Sequence, residues 1–489
     1  MVPFLTRRAG CALISCLALL VLAAPSAWAA PGGVQRLKYR VGPVKVTPGQ
    51  NRIAYDVLGQ KPSVDGYITR IRANLVRADG SVPPSSQIMF HHGVWLNLSK
   101  QDATTGGGLP ERFFAIGEEK SILTLPRGFG YPYRAGDRWL LNHMIHNLTP
   151  RPYELYFTYE LDFIPASSKR AASTRPVRPI WMDVRNGNLY PVFDVLKGTG
   201  RRGRFTYPTQ ARSPYGQGRR MNEWTVDRDG VLVATAGHLH SGGLWNDLYL
   251  RRGSKRAHLF RSTAKYWEPA GPVSWDVSMT ATRPDWRVRV RAGDVLSTSV
   301  TYETRRAAWP ESMGIMVAYM ASGGRGANPF TTRVDKPGRV THGHLRENND
   351  HGGGPATLPD ARQLTPSSFS GTLVDITDFR YTVGDLGLSG DAGSPPTIQA
   401  GQALTFRNND DGDEIYHSIT SCKAPCNRST GIAYPIADGP VQFESGQLGT
   451  RLPGVGTVDW TTPTDLKPGT YTYFCRIHPF MRGAFRVKP

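Results

Sequence analysis

Cys475, His478 and Met481 lie within seven positions near the C-terminus, and this spacing constrains the fold more than any other feature of the chain. The segment that contains them, Tyr471–Gly483, has the pattern of a tight loop between two strands. A further histidine, His417, lies well upstream, after a polar run. For the four side chains to act together, a distant strand must lie beside the loop, which requires a fold built from sheets.

The chemistry of these four side chains predicts a type 1 copper site. One thiolate and two imidazoles in a trigonal plane, with a weak axial thioether, form the ligand set of blue-copper electron-transfer sites. Cys475, His417 and His478 supply the plane, and Met481 supplies the thioether. The alternative interpretation is a buried thiol, with His478 and Met481 serving only as packing residues.

The loop also resembles the ligand loop of amicyanin-type cupredoxins, because Pro479, Phe480 and Gly483 match as well. The resemblance covers about residues 370–489. It implies a Greek-key β-sandwich that carries one type 1 copper and transfers electrons.

The remainder of the chain is rich in strand patterns. Its 53 glycines and 38 prolines in 489 residues favour short strands and turns over long helices. We predict an all-β fold, with two tandem β-sandwich (jelly-roll-like) domains followed by a Greek-key cupredoxin β-sandwich. The predicted divisions are a signal peptide at 1–29, a first sandwich at 30–165, a second at 177–325, a glycine- and histidine-rich linker at 326–365 and the cupredoxin domain at 366–489.

The N-terminus has the pattern of a secretory signal peptide. Thr6–Arg8 contains two arginines before an apolar run over residues 9–24, and Ala27–Ala29 is a small-x-small cleavage signal. Leu13–Cys16 also resembles a lipoprotein lipobox, and Thr6–Arg8 resembles a twin-arginine signal. We expect the mature chain to be secreted, periplasmic or associated with the cell wall, without a transmembrane span.

Three cysteines remain after the signal peptide: Cys422, Cys426 and Cys475. Binuclear copper sites also use the spacing Cys-x3-Cys, but they need a histidine four residues further on, where Thr430 stands. We therefore expect a disulfide between Cys422 and Cys426, which an exported compartment permits. Cys475 is then the free thiol that needs a role.

The formal charge of +20 includes basic clusters such as Arg201–Arg204. No recognition helix, zinc finger or RNA-binding sheet pattern accompanies this charge, so nucleic acid is not an expected partner. The charge predicts a solvated basic surface. Such a surface also attracts anionic wall polymers or an acidic redox partner.

Histidines also cluster ahead of the cupredoxin segment. His91 and His92 are adjacent, and His238 and His240 form a His-x-His pair whose side chains share one face of a strand. Two histidines still need further ligands to hold an ion. The other candidate ligands in this part of the chain are His143, His146 and Met313.

The order of these residues resembles the copper type II monooxygenases, the family of peptidylglycine α-hydroxylating monooxygenase and dopamine β-hydroxylase. The resemblance spans about residues 40–325 and implies two further type 2 coppers. One, which receives electrons, would be held by three histidines; the other would bind oxygen and attack a C–H bond of a small organic substrate. Carried over, the first set is His91, His92 and either His146 or His143, and the second, catalytic set is His238, His240 and Met313.

Three departures from that family concern the substrate and the scaffold. Residues 30–325 contain no cysteine, whereas the family's domains are rich in disulfides. Ala236 stands where the peptide hydroxylase has a carboxylate-binding arginine. Ile315 and Val317 replace polar residues after the methionine. A glycine-extended peptide is therefore not the expected substrate.

The leading hypothesis is a copper-dependent oxidoreductase in which the cupredoxin segment replaces a small reductant such as ascorbate. A fused donor acts at a high effective concentration. A second hypothesis is a non-enzymatic electron carrier with a copper-storing N-terminal scaffold, and a third is a wall-binding adhesion module. His342, His344 and His351 occupy a glycine-rich loop that either caps a copper site, scavenges metal or is a solvated linker.

Overall fold

The computed structural model describes the backbone of residues 28–30, 33–106, 108–185, 191–212, 220–348, 358–426, 436, 441–450 and 456–489. Within these ranges the chain forms strands, turns and four short 3-10 helices, and no α-helix. The all-β prediction is therefore confirmed. None of the helices in the described ranges has the length and apolar character needed to cross a bilayer. The signal peptide prediction falls almost wholly outside the described residues.

The first sandwich contains ten strands, packed as two sheets. In one sheet β10 lies between β2 and β4, while the other has the order β3–β9–β5–β6. The strands are β1 Trp28–Ala30, β2 Val34–Val46, β3 Asn51–Leu58, β4 Gly66–Val76, β5 Ile88–Gln101, β6 Pro110–Gly117, β7 Leu123–Thr124, β8 Phe129–Tyr133, β9 Trp139–Asn147 and β10 Tyr153–Pro165.

The alternation in β10 explains how the first core forms. Phe157, Tyr159, Leu161 and Phe163 are buried at every second position, so one face of β10 is apolar. That face packs against residues of the second sheet that include Trp95. Burial of these large aromatic side chains is the main source of stabilisation for such a sandwich.

The second sandwich also packs two sheets face to face. In one sheet β22 lies between β11 and β15; in the other β20 pairs with β13, β14 and β16, which is followed by β17. A short helix, Ala171–Ser173, precedes it. The strands are β11 Arg175–Asp183, β12 Phe193–Val195, β13 Arg204–Tyr207, β14 Glu223–Thr225, β15 Gly230–Leu239, β16 Gly243–Arg252, β17 Lys255–Tyr266, β18 Val277–Ala281, β19 Val288–Val290, β20 Val295–Glu303, β21 Trp309–Ser312, β22 Gly314–Ser322 and β23 Arg339–Val340.

The third sandwich contains two four-stranded sheets, β25–β24–β27–β29 and β26–β31–β30–β28. Its core includes Phe406, Tyr473 and Phe485. The strands are β24 Leu373–Thr377, β25 Arg380–Tyr381, β26 Thr397–Gln399, β27 Thr405–Asn408, β28 Thr420–Cys422, β29 Asp459–Thr461, β30 Gly469–Phe474 and β31 Arg482–Lys488, and the remaining 3-10 helices are Arg346–Asn348, Gly390–Gly393 and Asp410–Asp413.

The three sandwiches pack against one another. One apolar cluster contains side chains from all three: Met89 and Leu148, Leu239 and Trp309, and Cys426 and Phe474. A two-residue parallel pairing of β8 with β11 also joins the first two sandwiches, with Arg175 opposite Phe129. The described part of the segment predicted to be a linker contacts both of them, since Glu347 pairs with Lys120 of the first at 2.8 Å and Asn348 Nδ2 donates to Asp276 Oδ1 of the second at 3.3 Å.

Candidate metal centres

The loop between β30 and β31 brings Cys475, His478 and Met481 together. β30 ends at Phe474, which pairs with Arg482 at the start of β31, so the seven intervening residues form a closed turn. Cys475 N donates to Met481 O at 3.1 Å, and Met481 N donates to His478 O at 2.9 Å. His417 precedes β28, which pairs with β30, and this pairing brings the distant histidine beside the loop.

Three donor atoms form a compact, fully buried triangle. The Sγ atom of Cys475 lies 3.8 Å from Nδ1 of His417 and 3.8 Å from Nδ1 of His478, and the two Nδ1 atoms are 3.3 Å apart. This arrangement fits the thiolate and two imidazoles of a type 1 copper site. Met481 is buried in the same apolar cluster as Cys475.

The surroundings of Cys475 favour the thiolate. The backbone N–H groups of Ser418 and His478 each donate to Sγ at 3.3 Å. Burial raises the pKa of the thiol, but hydrogen bonding and charge interactions with His417 and His478 outweigh burial and hold that pKa well below its ordinary value. Because the thiolate is the metal-binding form of cysteine, the site is prepared for a soft metal ion.

The outer nitrogens of both histidines are also fixed. His417 Nε2 lies 2.9 Å from a carboxylate oxygen of Asp410, which in turn accepts N–H bonds from Asp378 and Phe379. His478 Nε2 donates to the carbonyl oxygen of Gly49 at 3.0 Å. Such outer hydrogen bonds set the tautomer, so that Nδ1 is left to bind a metal. The bond to Gly49 also connects this site to the first sandwich.

Cys422 and Cys426 form a disulfide, as the sequence predicted. Cys426 belongs to the apolar cluster shared by the three sandwiches. The disulfide therefore supports the surface of the third sandwich that faces the other two.

A second group of possible ligands lies between the first two sandwiches. Ligand atoms of His91, Glu118 and His240 all lie within 4.8 Å of one another, and all three residues are buried. On β5, Phe90 pairs with Ile145 and His92 with Met144, so a β-bulge at His91 interrupts the ladder. A bulge redirects a side chain, which explains why the adjacent His91 and His92 contact different residues.

Two further histidines of the first sandwich, His143 and His146, lie on opposite faces of β9. The ring of His146 lies 5.0 Å from that of His91, centroid to centroid. His143 points to the opposite face, where Nε2 lies 2.8 Å from Asp56 and the ring contacts Phe157. His92 Nε2 lies 2.9 Å from Oδ1 of Asn142. His146 is thus the histidine of β9 that lies beside His91.

His240 and His238 also occupy different surroundings. The His240 ring lies 4.6 Å from that of His91, and its Nδ1 donates to the carbonyl of Glu311. His238 Nδ1 instead lies 2.9 Å from a carboxylate oxygen of Glu119. The structure therefore brings His240 close to His91, across the interface between the two sandwiches.

Met313 lies away from this contact. The hydroxyl of Tyr302 bonds both its backbone N–H and its backbone carbonyl. Its side chain lines a cavity together with His92 and His238. The arrangement mixes the two ligand sets carried over from the resemblance. His91 of the first set lies beside His240 of the second, whereas His92, His238 and Met313 line this cavity.

Burial keeps the imidazoles of the histidine cluster, which consists of His91, His146 and His240, neutral. It lowers the pKa of His91 to about 3, and it holds those of His146 and His240 well below the ordinary value. It also raises the pKa of Glu118 well above the ordinary range. A neutral imidazole is the form of histidine that binds metals.

A cavity of about 560 Å³, its mouth included, separates the two centres. Its lining includes His91, His146 and His240, and also Arg476 and Ile477, which follow Cys475 directly. Arg476 pairs with Glu444 at 3.3 Å. The type 1 loop and these three histidines therefore line one cavity.

A larger cavity, of about 1200 Å³ with its open part, lies on the other side of the cluster. Its walls are mostly aliphatic and aromatic, and include Val94, Phe114 and Ile315. Its charged wall residues include Arg112, which pairs with Asp102 at 2.8 Å and with Asp183 at 2.9 Å. Because two carboxylates already pair with the guanidinium, this arginine does not present an uncompensated charge to the cavity.

The loop histidines that the sequence left open make specific contacts. His342 Nε2 contacts the backbone carbonyl of Glu119, and His344 Nδ1 lies 2.6 Å from Asp276. His351 lies outside the described residues. The described part of the loop thus covers the region next to Glu119.

Sequence reasoning missed several residues of these centres. Glu118 and Glu119 directly follow β6, and an acidic pair after a strand gives no specific metal signal. Gly49 contributes only a backbone carbonyl, which has no sequence signature. Asp410 belongs to the polar run before His417, where a carboxylate seven residues from a ligand was the available clue.

Comparisons with protein-family models and with curated protein sequences find no match to this chain. Comparison with solved structures finds cupredoxin-like proteins that align with part of it. A purple cupredoxin from Nitrosopumilus maritimus has 18% identity and a TM-score of 0.16, over 24% of this chain and 100% of its own. An amicyanin variant in its Cu(I) state has 16% identity and a TM-score of 0.16, over 26% and 90%.

A Cu-containing nitrite reductase from Thermus scotoductus SA-01 aligns over 54% of this chain and 59% of its own, with 15% identity and a TM-score of 0.16. The chain is thus similar to cupredoxins over part of its length. What its sites can do rests on its own residues.

Proposed function

We propose that this chain is an exported copper-dependent oxidoreductase in which the third sandwich delivers electrons to the buried histidine cluster. The observation that carries the proposal is the hydrogen bond from His478 Nε2 to the carbonyl of Gly49, at 3.0 Å. It connects a ligand of the candidate type 1 site directly to the sandwich that holds His91 and His146. An electron carrier that serves only a separate protein has no need of this internal connection.

The connection continues through the backbone towards His146. Gly49 N donates to Thr149 O at 3.1 Å, and Asn147 N donates to Gln50 O at 2.9 Å. Asn147 is the neighbour of His146 in the chain. A short series of covalent and hydrogen bonds therefore joins the two centres.

Different residues would serve the type 1 site and the histidine cluster. His417, Cys475, His478 and Met481 would hold the type 1 copper, and His91, His146 and His240 supply imidazoles at the cluster. Bound copper would supply one-electron redox chemistry and, where a coordination position stays open, reaction with oxygen. Asp410 and Gly49 orient the two type 1 imidazoles, and Arg476, which follows Cys475, lines the cavity and pairs with Glu444.

The larger cavity supports a monooxygenase reaction on a small, mainly apolar organic molecule. Its apolar walls would exclude water, and His92, His238 and Met313 lie in the wall next to the cluster. Ala236 also lines the cavity, at the position where the peptide hydroxylase of the resembled family carries a carboxylate-binding arginine. Since Arg112 is already paired with Asp102 and Asp183, the cavity favours an uncharged substrate over a carboxylate.

The test compares the copper-loaded full chain with its Cys475→Ser variant. Oxygen consumption supported by an electron donor is expected to fall strongly in the variant, together with the thiolate-to-copper absorption. A Cys422→Ser/Cys426→Ser variant is the matched control, because it also replaces cysteine with serine in the third sandwich but leaves the type 1 ligands in place. Unchanged oxygen consumption in Cys475→Ser would contradict the proposal and favour a carrier or copper-storing protein.

A further inference from the structure

His91, Glu118 and His146 of the first sandwich and His240 of the second converge on one place. The group includes a carboxylate that no histidine motif indicates. Glu118 directly follows β6, and its carboxylate contacts Nδ1 of His91. Its side chain is 2% exposed, so this carboxylate is inside the protein. Burial of a carboxylate is costly unless a cation or a set of hydrogen bonds compensates it.

Several imidazole nitrogens at this place are buried without a hydrogen-bond partner among the described residues. They are both ring nitrogens of His146 and Nε2 of His240. An unsatisfied buried polar atom destabilises the folded chain, so three of them on histidines that flank His91 need an explanation. A bound cation supplies one.

The orientation of His240 points to the same conclusion. Its Nδ1 donates to the carbonyl oxygen of Glu311 at 2.5 Å, which fixes the tautomer and leaves Nε2 with its lone pair. Metal-binding histidines typically donate their other nitrogen to such a carbonyl. The ring lies 4.6 Å from that of His91, on the other sandwich.

We infer that His91, Glu118 and His240, with His146 as a fourth donor, bind one first-row divalent cation that the first two sandwiches share. Three imidazoles and one carboxylate form a borderline donor set that suits Cu²⁺ and related ions. The inference rests on the proposed function in one respect, because it identifies the centre that would receive electrons. The inferred site differs from the two separate type 2 copper sites that the resemblance implied, because His91 and His240 bind the same ion.

Metal binding at this place would tie the first two sandwiches together. Neither sandwich alone supplies all four donors. A ligand that binds only the folded, assembled arrangement stabilises that arrangement in proportion to its affinity. Cu²⁺ is therefore expected to raise the unfolding midpoint of both sandwiches as one transition.

The experiment measures Cu²⁺ binding to the full chain without any electron donor. Electron paramagnetic resonance separates type 1 copper from copper bound by imidazole and carboxylate. The wild-type chain is expected to show one type 1 and one further copper. In Glu118→Gln, affinity for the further copper should fall at least about tenfold, the low end of losses seen even for partners outside the coordination shell. The type 1 signal should persist and report a folded chain.

Glu111→Gln is the matched control, because Glu111 is a buried glutamate of β6 that bonds Tyr131, remote from the cluster. Its copper affinity should equal that of the wild type. His240→Gln should weaken the same copper as Glu118→Gln. Equal affinities in Glu118→Gln and Glu111→Gln, retention of the copper in His240→Gln, or two further coppers that respond to different variants would each overturn the inference. Intact binding without electron transfer would instead contradict only the proposed function.

Discussion

His478 and Gly49 lie in different sandwiches, yet Nε2 of the first donates to the carbonyl oxygen of the second at 3.0 Å. The contact requires a residue without a side chain at position 49. Gly49 has a φ of +60°, and an added Cβ would lie 1.9 Å from the ring of Phe379. That ring packs edge-on against His478, with centroids 5.0 Å apart.

Gly49→Ala is therefore expected to slow electron transfer from the type 1 site to the histidine cluster. The new methyl group displaces Phe379, and the left-handed backbone adds about 1–2 kcal/mol of strain. Rapid-mixing reduction, followed by reoxidation of the type 1 absorption, measures the rate. Gly80→Ala is the control, because Gly80 also has a positive φ, +85°, with nothing within 4 Å. Equal rates in the two variants would show that the contact does not carry the transfer.

Asp102→Asn is expected to destabilise the protein near neutral pH and to matter less in acid. Burial raises the pKa of Asp102, but Arg112 and Thr104 outweigh burial, and the pKa is lowered. Stability from a lowered pKa is present above the unfolded value, about 3.9, and is lost as the pH falls through the folded value.

The expected loss in Asp102→Asn is about 2 kcal/mol at pH 7, typical of a charge-assisted hydrogen bond. Arg112 keeps Asp183 as a partner, at 2.9 Å, which limits the loss. Denaturant unfolding at pH 7 and at acidic pH measures the difference between variant and wild type. A difference that stays constant below the ordinary pKa of aspartate would contradict this assignment.

Ala236→Phe is expected to block the larger cavity. Ala236 lines it, so a phenyl group would occupy space that an apolar substrate needs. Binding of toluene, used as an apolar probe and followed by ligand-observed NMR, should weaken, while the type 1 spectrum stays unchanged. Ala292→Phe serves as the control, because Ala292 is exposed in a turn. Toluene binding that is equal in both variants would place the binding site elsewhere.

Removal of the disulfide is expected to weaken the third sandwich without loss of type 1 copper. The bridge closes a loop with a sequence separation of 4, and the chain-entropy relation gives about 2 kcal/mol for so short a loop. Thermal unfolding of Cys422→Ser/Cys426→Ser, with and without copper, measures this loss. If the type 1 absorption disappears in the folded variant, the disulfide instead helps to form the copper site.

The grouping of the candidate type 1 residues could be predicted from the sequence because most of them are close together in the chain. Cys475, His478 and Met481 share one loop, and a tight turn between paired strands must bring them together. The all-β class was equally accessible, since strand alternation as in β10 reflects a core on one face. The disulfide followed from a similarly short spacing.

The histidine cluster was less accessible because its arrangement depends on the packing of two sandwiches. A motif can show that His238 and His240 share a strand face, but not that His240 lies beside His91. The β-bulge at His91 separates it from His92, and one extra residue in a ladder leaves no clear pattern in the sequence. Glu118 was missed for a related reason, since only the fold turns it towards the imidazoles.

The parallel pairing of β8 with β11 has a consequence for how molecules reach the larger cavity. Arg175 and Pro176 are held to Phe129 and Gly130 at the point where the chain passes from the first sandwich to the second. A hinge that swung the sandwiches apart would have to break this ladder and separate the shared apolar cluster. Entry and exit are therefore expected to depend on small side-chain and loop movements at the cavity mouth, so that the size of a guest molecule, rather than domain opening, limits its access to the cavity.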